Sequence, residues 1–361
     1  MLILACISSH GYGHGSRSAA VLTALHQLRP HWRLVLSTAL PPAFLATAFG
    51  PVPVIHRPCQ WDVGVLQADA LGADPAATLA ALEALEQRLP AQLERELAWL
   101  RQQQQPVLVL GDVPPAAALL AHALDAPLVW LASFGWDAIY GAFGSAFDPW
   151  VRRSRSLYRR GQLLLHCPLS LPMPWGLREI AIGLTAGEPR QDGAALAQDL
   201  GLRAERDRNV LISFGGLGLP LDPGLLQRWP HHRFVGHDPS LGAAANGRVL
   251  PASLRPLELM GHCGRLITKP GYSSFCEAMR YGVGIHLVHR SGFAEAPVLE
   301  RDLQRHGWHR LLSQAQLRSG DWELDRPLLP PRQGPLPGDG ARQAAEAIAA
   351  LGADLGGPAQ Q

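Results

Sequence analysis

The chain has 361 residues, more than the roughly 100–200 of one typical domain, so its length predicts two domains. Its residues are 47% hydrophobic, 17% charged and 7% aromatic, a composition that indicates a globular protein and excludes a disordered or fibrous one. The 32 basic and 30 acidic residues leave a net charge of +2, so charge gives no support for a nucleic-acid partner.

The cysteines and the apolar segments bear on location. The five cysteines are odd in number and widely scattered, which argues against a disulfide framework or a metal site and favours a reducing compartment. Residues 1–9 are too short and too uncharged for a signal peptide, and no stretch approaches the ~20 apolar residues of a membrane helix. We expect a cytoplasmic protein without a transmembrane segment, for which a peripheral membrane contact remains open.

The first part of the chain alternates strand and helix patterns. An apolar run at 2–7 predicts a buried strand, which a glycine loop at 9–15 joins to a helix at 16–28. Further strands are predicted at 34–37, 107–112 and 128–131, and further helices at 75–101 and 116–124. Such alternation indicates a doubly wound parallel sheet.

The second part repeats this pattern after a Pro/Gly-rich connection. Strands are predicted at 210–214, 232–235, 265–268 and 285–288, and helices near 223–228, at 274–281 and, after a linker at 327–338, at 341–351. We therefore predict a Rossmann-like domain at 1–165, a connection at 166–207, a second Rossmann-like domain at 208–326, and a linker with a terminal helix at 327–361.

Two histidines stand in the first glycine loop. His10 and His14 follow the first strand, at the edge where open α/β sheets bind ligands, and an imidazole there suits a general base. The alternative is that they cap the loop or its helix. Asp112 ends a strand at the same edge and would orient a histidine ring, or would serve as N-cap of the following helix.

The second half offers an anion site at its own strand ends. Gly215 and Gly216 lie in a loop between strand and helix, where backbone N–H groups would face a diphosphate. Lys269 is the only lysine of the chain, and the Pro270-Gly271 turn follows it. Glycine turns without a ligand are common, so the first loop alone is a weak signal.

The segment after Lys269 predicts a helix start. Ser273 and Ser274 would place hydroxyls and the positive helix dipole at an anion. Ser274 and Glu277 also have the spacing of a capping box, in which Glu277 ties down the helix start. The two interpretations are compatible, because a rigid helix start is a better platform for a ligand.

Three further side chains are candidates for substrate contact. Glu295 would accept sugar hydroxyls, or would sit in the first turn of a helix, where acids are favoured. Trp136 and Asp137 offer an apolar wall with one carboxylate, and ordinary core packing accounts for them equally well. The remaining histidines have no metal-ligand spacing, so we predict no metal and no cofactor.

Several of these blocks together resemble a known family. Four blocks carry the likeness: residues 268–272 with Glu277, the loop 11–15 with Arg17, residues 134–137 with Tyr140, and Pro172-Met173-Pro174. Together they are similar to the glycosyltransferase-like domain in the N-terminal half of arabinose kinases. More distantly they resemble the transferase that adds GlcNAc to the lipid-linked peptidoglycan precursor. The blocks occur in one order from about residue 3 to residue 322.

The resemblance implies a GT-B fold, two Rossmann-like domains facing across a cleft, with the donor mainly on the C-terminal domain and the acceptor on the N-terminal one. It implies diphosphate contacts at Gly215, Gly216, Ser273 and Ser274, ribose contacts at Glu277, and His14 at the reacting centre. Gly13, Arg17, Trp136 and Asp137 would lie on the acceptor side, and Lys269, Gly271 and Glu295 on the donor side.

We accordingly expect an inverting, metal-independent glycosyltransferase that moves a sugar from a nucleotide-sugar to a hydroxyl acceptor. The resemblance implies UDP as the nucleotide. The acceptor is expected to be a small molecule or lipid-linked. The second loop has Phe214 and Leu217 where the peptidoglycan enzyme has Ser/Thr and Ser. The P-x-x-x-G-L-S-S-S-A loop of sugar kinases is absent, so phosphorylation is not predicted. The alternatives are a nucleotide-sugar epimerase and a non-catalytic nucleotide-sugar-binding module.

Overall fold

The chain divides into two compact units. The computed structural model describes residues 1–66, 72–215, 221–290 and 292–355. The first unit comprises Met1–Thr185 and Asp339–Gln361, and the second comprises Ala186–Gly338. The first unit thus extends past the predicted boundary at 165, and it also contains the predicted terminal helix. The predicted connection at 166–207 is therefore divided between the two units, and so is the predicted tail at 327–361.

The first unit is built on a parallel sheet of seven strands in the order β3-β2-β1-β4-β5-β6-β7. The strands are β1 (Leu2–Ile7), β2 (Arg33–Ser37), β3 (Val54–Arg57), β4 (Val107–Asp112), β5 (Leu128–Ala132), β6 (Leu163–His166) and β7 (Arg178–Ala181). β1, β4 and β5 are buried along nearly their whole length, as expected for strands covered on both faces.

Helices connect these strands, and the last one comes from the end of the chain. They are α1 (Tyr12–Leu28), α2 (Pro42–Phe49), α3 (Pro75–Gln102), α4 (Ala117–Ala123), α5 (Trp136–Gly141), α6 (Asp148–Tyr158) and α11 (Gly340–Leu355). α11 packs against α1, and the Gln343 side chain accepts a hydrogen bond from the Gly183 backbone N–H at 2.8 Å. These contacts explain why the terminal helix belongs to the first unit.

The second unit has its own parallel sheet of six strands in the order β10-β9-β8-β11-β12-β13. The strands are β8 (Asn209–Ser213), β9 (Arg233–Gly236), β10 (Gly247–Val249), β11 (Arg265–Thr268), β12 (Gly284–Val288) and β13 (His309–Leu312). The α-helices are α7 (Gly193–Asp199), α8 (Tyr272–Arg280), α9 (Ala296–His306) and α10 (Gln314–Ser319). Each unit is therefore a Rossmann-like layered α/β domain, as predicted.

The first helix begins earlier than predicted. Gly11 is the N-cap of α1, with a φ of +79° that an L side chain rarely adopts, and the helix starts at Tyr12 rather than Ser16. Gly13 and His14 therefore lie in the first turn of a helix and not in a loop. No helix among the described residues is long and apolar enough to cross a membrane.

His286 is a fully buried histidine in the second sheet. Its Nδ1 lies 2.9 Å from the carbonyl oxygen of Trp322, and its Nε2 lies 2.9 Å from a guanidinium nitrogen of Arg265. This arrangement suits a neutral ring that donates from Nδ1 and accepts at Nε2. Burial, followed by the positive charge of Arg265, lowers the pKa of His286 to about 3.

We expect the free energy of unfolding to fall as the pH drops below the unfolded histidine pKa of about 6.5, because the unfolded chain binds a proton that folded His286 refuses. His286 contributes about 2 kcal/mol to this loss between pH 6.5 and pH 5. Urea titrations at these two pH values measure it. His286→Gln, whose amide donates and accepts but does not titrate, should lessen this loss by about 2 kcal/mol. The remainder belongs to His232, whose pKa burial lowers to about 4, and exposed His289→Gln should leave the loss unchanged. An equal slope in both variants contradicts the assignment.

Candidate active site

The sheet of the first unit brings the ends of three strands together. β1 lies between β2 and β4, so the chain order reverses direction between β1 and β4, and Ile7 is paired with Asp112. The loop after β1 leads directly into α1, and Ser133 follows the neighbouring strand β5. In open α/β sheets this reversal point is where ligands bind.

Asp112 is the centre of a buried hydrogen-bond network at this point. Its Oδ1 lies 2.9 Å from Nδ1 of His14, and its Oδ2 accepts a hydrogen bond of 2.6 Å from the Ser18 hydroxyl. The Arg17 guanidinium donates to both carboxylate oxygens, from Nε at 3.2 Å and from a terminal nitrogen. Since α1 begins at Tyr12, these partners occupy positions i, i+3 and i+4 of one helix face.

Arg17 is buried and supports the network. Its side chain is 2% exposed, and its other terminal nitrogen donates to the Ser133 hydroxyl at 3.0 Å. Burial raises the pKa of Asp112, but the charge of Arg17 and the contacts with His14 outweigh it and hold that pKa at about 2. Asp112 is therefore ionised at neutral pH. The predicted N-cap role of Asp112 is not observed, because α4 begins at Ala117 with Ala116 as its N-cap.

An ionised Asp112 determines the state of the His14 ring. A carboxylate only accepts hydrogen bonds, so Nδ1 of His14 carries the proton and donates it to Asp112. In the neutral ring Nε2 then holds a lone pair. His14 thus has the orientation of a general base, in which one nitrogen is held by a carboxylate and the other is left as proton acceptor.

His10 is held differently. Its Nδ1 accepts a hydrogen bond of 3.4 Å from the backbone N–H of Val65, so a neutral His10 carries its proton on Nε2. Its ring also meets Trp136 edge-on, with 5.5 Å between ring centroids. The contacts at Nδ1 therefore favour His14 over His10 as a proton acceptor.

The predicted acceptor-side aromatic segment is buried in the first unit. Trp136 and Asp137 are 1% and 3% exposed. The Trp136 indole N–H donates to Oδ2 of Asp62 at 2.8 Å, while Asp137 accepts a hydrogen bond from Arg155. Gly13, also predicted on this side, is exposed in the first turn of α1. Sequence reasoning missed Asp62, since an isolated Trp-Asp pair in a loop carries no recognisable motif.

The strand ends of the second unit gather positive charge. β8 and β11 are neighbours, so Gly215 and Lys269 follow paired strand ends, and a Cβ built on Gly215 would lie 3.8 Å from Cε of Lys269. Gly215 has a φ of +77°, which favours glycine. Burial and the nearby charge of Arg290 lower the pKa of Lys269 to about 8. No acidic side chain pairs with Lys269 within the described ranges, so the site favours an anion.

The helix after Lys269 starts earlier than the capping-box hypothesis requires. α8 begins at Tyr272 with Gly271 as N-cap and no side-chain cap, so Ser274 is inside the first turn and does not cap the helix with Glu277. The hypothesis is wrong, because the Pro-Gly turn already supplies the helix start. Ser273 is buried, Ser274 is partly exposed, and burial raises the pKa of Glu277 to about 7.

Glu295 and Gly216 are the remaining predicted donor residues. Glu295 is the N-cap residue of α9 and does not use its side chain as a cap. Gly216 lies outside the described residues. In the part of the chain that is described, no group of three His, Cys, Asp or Glu side chains is arranged to hold a metal ion.

No protein-family model matches the chain. The sequence is 26% identical over 324 residues to an L-arabinokinase of Arabidopsis thaliana, which covers 88% of this chain and 31% of that protein. The chain therefore spans about a third of the length of this curated relative. The match agrees with the predicted resemblance to arabinose kinases.

Solved structures show the fold. Phytolacca americana UGT2, complexed with UDP-2fluoro-glucose and pterostilbene, has a TM-score of 0.61 and 15% identity over 97% of this chain and 93% of its own. A UDP-glucosyltransferase from Polygonum tinctorium capable of glucosylating indoxyl has a TM-score of 0.62 and 14% identity over 98% and 93%. The predicted GT-B fold is confirmed: both sheets of this chain are those of a GT-B protein.

Proposed function

We propose that this protein is a glycosyltransferase that moves a sugar from a UDP-sugar to a hydroxyl acceptor, with inversion and without a metal ion. The observation that carries the proposal is the His14–Asp112 pair at the reversal point of the first sheet. The sequence match and the GT-B neighbours that bind UDP-sugars support it. A fold alone does not define an activity, so the buried pair is the decisive feature.

The first unit supplies the base. Nε2 of His14 takes the proton of the acceptor hydroxyl as its oxygen attacks the anomeric carbon, and the bond from that carbon to the diphosphate breaks. Asp112 stabilises the imidazolium that forms, and Arg17 and Ser18 hold Asp112 in place. The ring then returns its proton to solvent. A single displacement inverts the configuration at the anomeric carbon.

The second unit supplies the donor site. Three groups offer positive charge to the diphosphate: Lys269, the backbone at Gly215 and the N-terminus of α8 at Gly271. The negative charge of the diphosphate grows as it leaves, so these groups stabilise the transition state. Ser273 and Ser274 flank it on the same helix start. Glu277 accepts the ribose hydroxyls, and Glu295 accepts sugar hydroxyls. Gly216 is proposed as a further diphosphate contact on the resemblance alone.

We expect UDP-sugars to raise the thermal unfolding temperature of the purified protein more than GDP-, ADP- or TDP-sugars do. A ligand that binds only the folded state at 100 times its Kd adds about 2.7 kcal/mol of stability. Thermal unfolding against a panel of the four series measures this, and analysis of the products then separates transfer from epimerisation. Stabilisation without transfer or donor hydrolysis would indicate a binding module. No shift with any series contradicts the donor site.

We expect the affinity for UDP to fall as the pH rises through about 8, because Lys269 loses its proton near that value and the ion pair with phosphate is lost. The decrease approaches tenfold per pH unit above 8 if binding requires the ammonium. Titration calorimetry at pH 7, 8 and 9 measures it. Lys269→Arg keeps the charge and should flatten the profile, whereas Lys269→Met should bind weakly at every pH. A pH-independent affinity in the unaltered protein contradicts this role.

A further inference from the structure

Val113 has a strained backbone conformation directly after Asp112. Its φ is +81°, in the left-handed region that a β-branched side chain very rarely adopts. Val113 also precedes Pro114, and a residue before proline normally has an extended conformation with a negative φ. The Val113 side chain is fully buried. Strained residues of this kind persist only where their surroundings hold them, and they cluster at active sites.

The hydroxyl of Tyr158 holds this strained residue. Tyr158 is the last residue of α6, and its hydroxyl donates a hydrogen bond of 2.7 Å to the carbonyl oxygen of Val113. The same hydroxyl accepts a hydrogen bond of 3.0 Å from the backbone N–H of Trp136, the first residue of α5. Because burial raises the pKa of Tyr158 well above its ordinary value, the hydroxyl keeps its proton and remains a donor.

Aromatic packing fixes the ring of Tyr158. The ring is fully buried, stacks on Trp175 with 4.0 Å between ring centroids, and meets Trp130 edge-on at 5.1 Å. The Trp130 indole N–H also donates to the backbone carbonyl of Tyr158 at 2.9 Å. A side chain locked by packing in this way holds its hydrogen-bond partners in a defined position.

The two loops that Tyr158 joins both carry members of the buried network. One loop runs from Asp112 into Val113 after β4, and the other begins at Ser133 after β5 and leads into α5. Arg17 donates to Asp112 and to Ser133, so the two loops must be correctly separated for it to reach both. The hydrogen bonds from α1 reach only the carboxylate of Asp112, whereas the next carbonyl along the chain is held by Tyr158.

We propose that Tyr158 is a positioning residue, whose hydroxyl holds the strained carbonyl of Val113 and so keeps Asp112 where it orients the His14 ring. Without this hydroxyl, Val113 relaxes towards a negative φ and moves the Asp112 carboxylate away from Nδ1 of His14. That the orientation serves a proton transfer rests on the proposed function. The orientation itself does not.

The orientation is measured without a substrate, by NMR of protein labelled with ¹⁵N-histidine. The nitrogen shifts report which ring nitrogen carries the proton, and His14→Gln assigns the signals of His14. We expect Nδ1–H in the unaltered protein, and in Tyr158→Phe a larger signal from the tautomer protonated at Nε2, because the Nδ1 proton loses its acceptor. Tyr140→Phe removes another buried hydroxyl bonded to a backbone carbonyl and should leave His14 unchanged. An unchanged tautomer in Tyr158→Phe overturns the proposal.

Relieving the strain by a second route tests its cause. Glycine adopts a positive φ without strain, so in a Val113→Gly background the addition of Tyr158→Phe should leave the His14 tautomer unchanged. Val113→Ala also shortens the side chain but keeps the strained Cβ, so in this background Tyr158→Phe should still change the tautomer. If Tyr158→Phe alone does not fold, the double variant Tyr158→Phe/Val113→Gly should fold. Equal effects in the two backgrounds, or a double variant that does not fold, would refute the positioning role.

Kinetics separate this role from the proposed function. Tyr158→Phe should lower kcat for hydrolysis of the UDP-sugar about tenfold, as expected when buried hydrogen-bonding groups lose their partner. KM should stay within about twofold, because the proposed donor site lies in the second unit. A changed tautomer in a protein that neither transfers nor hydrolyses sugar would count against the proposed function and leave the positioning of His14 standing. Normal kcat in Tyr158→Phe would support the function and overturn the positioning role.

Discussion

Replacing His14 by alanine is expected to lower the turnover of UDP-sugar by about 10²–10⁴-fold, the usual contribution of a general base. The loss should appear in kcat, while UDP binds as before, because His14 belongs to the first unit and the proposed donor site to the second. Slow hydrolysis of the UDP-sugar serves as the assay until an acceptor is known, since attack by water needs the same base.

Two further histidine variants test whether the loss is specific to His14. His26→Ala makes the same change further along α1 and should leave turnover within about twofold of the unaltered protein, as expected for a residue away from the chemistry. His10→Ala should reduce turnover less than His14→Ala, since Nδ1 of His10 accepts a backbone N–H, whereas Nδ1 of His14 donates to Asp112. Undiminished turnover in a folded His14→Ala protein, or a larger loss in His10→Ala, refutes the assignment.

The architecture was predictable where strands are buried on both faces. β1, β4, β5, β8 and β11 are short continuous apolar runs, and such runs between helical patterns are typical of strands in a parallel sheet. The strands missed by the prediction lie at or near the sheet edges, β3, β7, β10 and β13 among them. An edge strand such as β7, Arg-Glu-Ile-Ala with mostly exposed side chains, has no apolar pattern to reveal it.

The candidate site was predictable only as far as strand ends define it. His14 and Asp112 were found because His14 comes after one buried parallel strand and Asp112 ends another, and such strand ends meet at one edge. Ser18 was missed because the glycines at 11 and 13 indicated a loop, whereas the i, i+4 relation to His14 exists only in a helix that starts at Tyr12. Ser133 belongs to the network through its hydrogen bond with Arg17, from which it is 116 residues away in the chain. No local sequence pattern predicts a contact over such a separation.

Replacing Asp112 by alanine is expected to destabilise the protein by about 3–5 kcal/mol, the cost of leaving a buried charge without its partner. Asp112 accepts hydrogen bonds from His14, Arg17 and Ser18, and Arg17 is 2% exposed. The variant would leave the Arg17 guanidinium buried without its carboxylate. Urea unfolding followed by tryptophan fluorescence measures the change at pH 7.

The double variant Arg17→Met/Asp112→Leu separates this charge effect from lost packing, since replacing both ions by apolar side chains is often nearly neutral. It should unfold at a higher urea concentration than Asp112→Ala. Because the pKa of Asp112 is lowered to about 2 when folded, its contribution is present above the unfolded pKa of about 3.9 and is lost as the pH falls towards 2. The difference between the unaltered protein and Asp112→Ala should therefore shrink below pH 4. A double variant as unstable as the single one would mean that Asp112 acts through shape and not through charge.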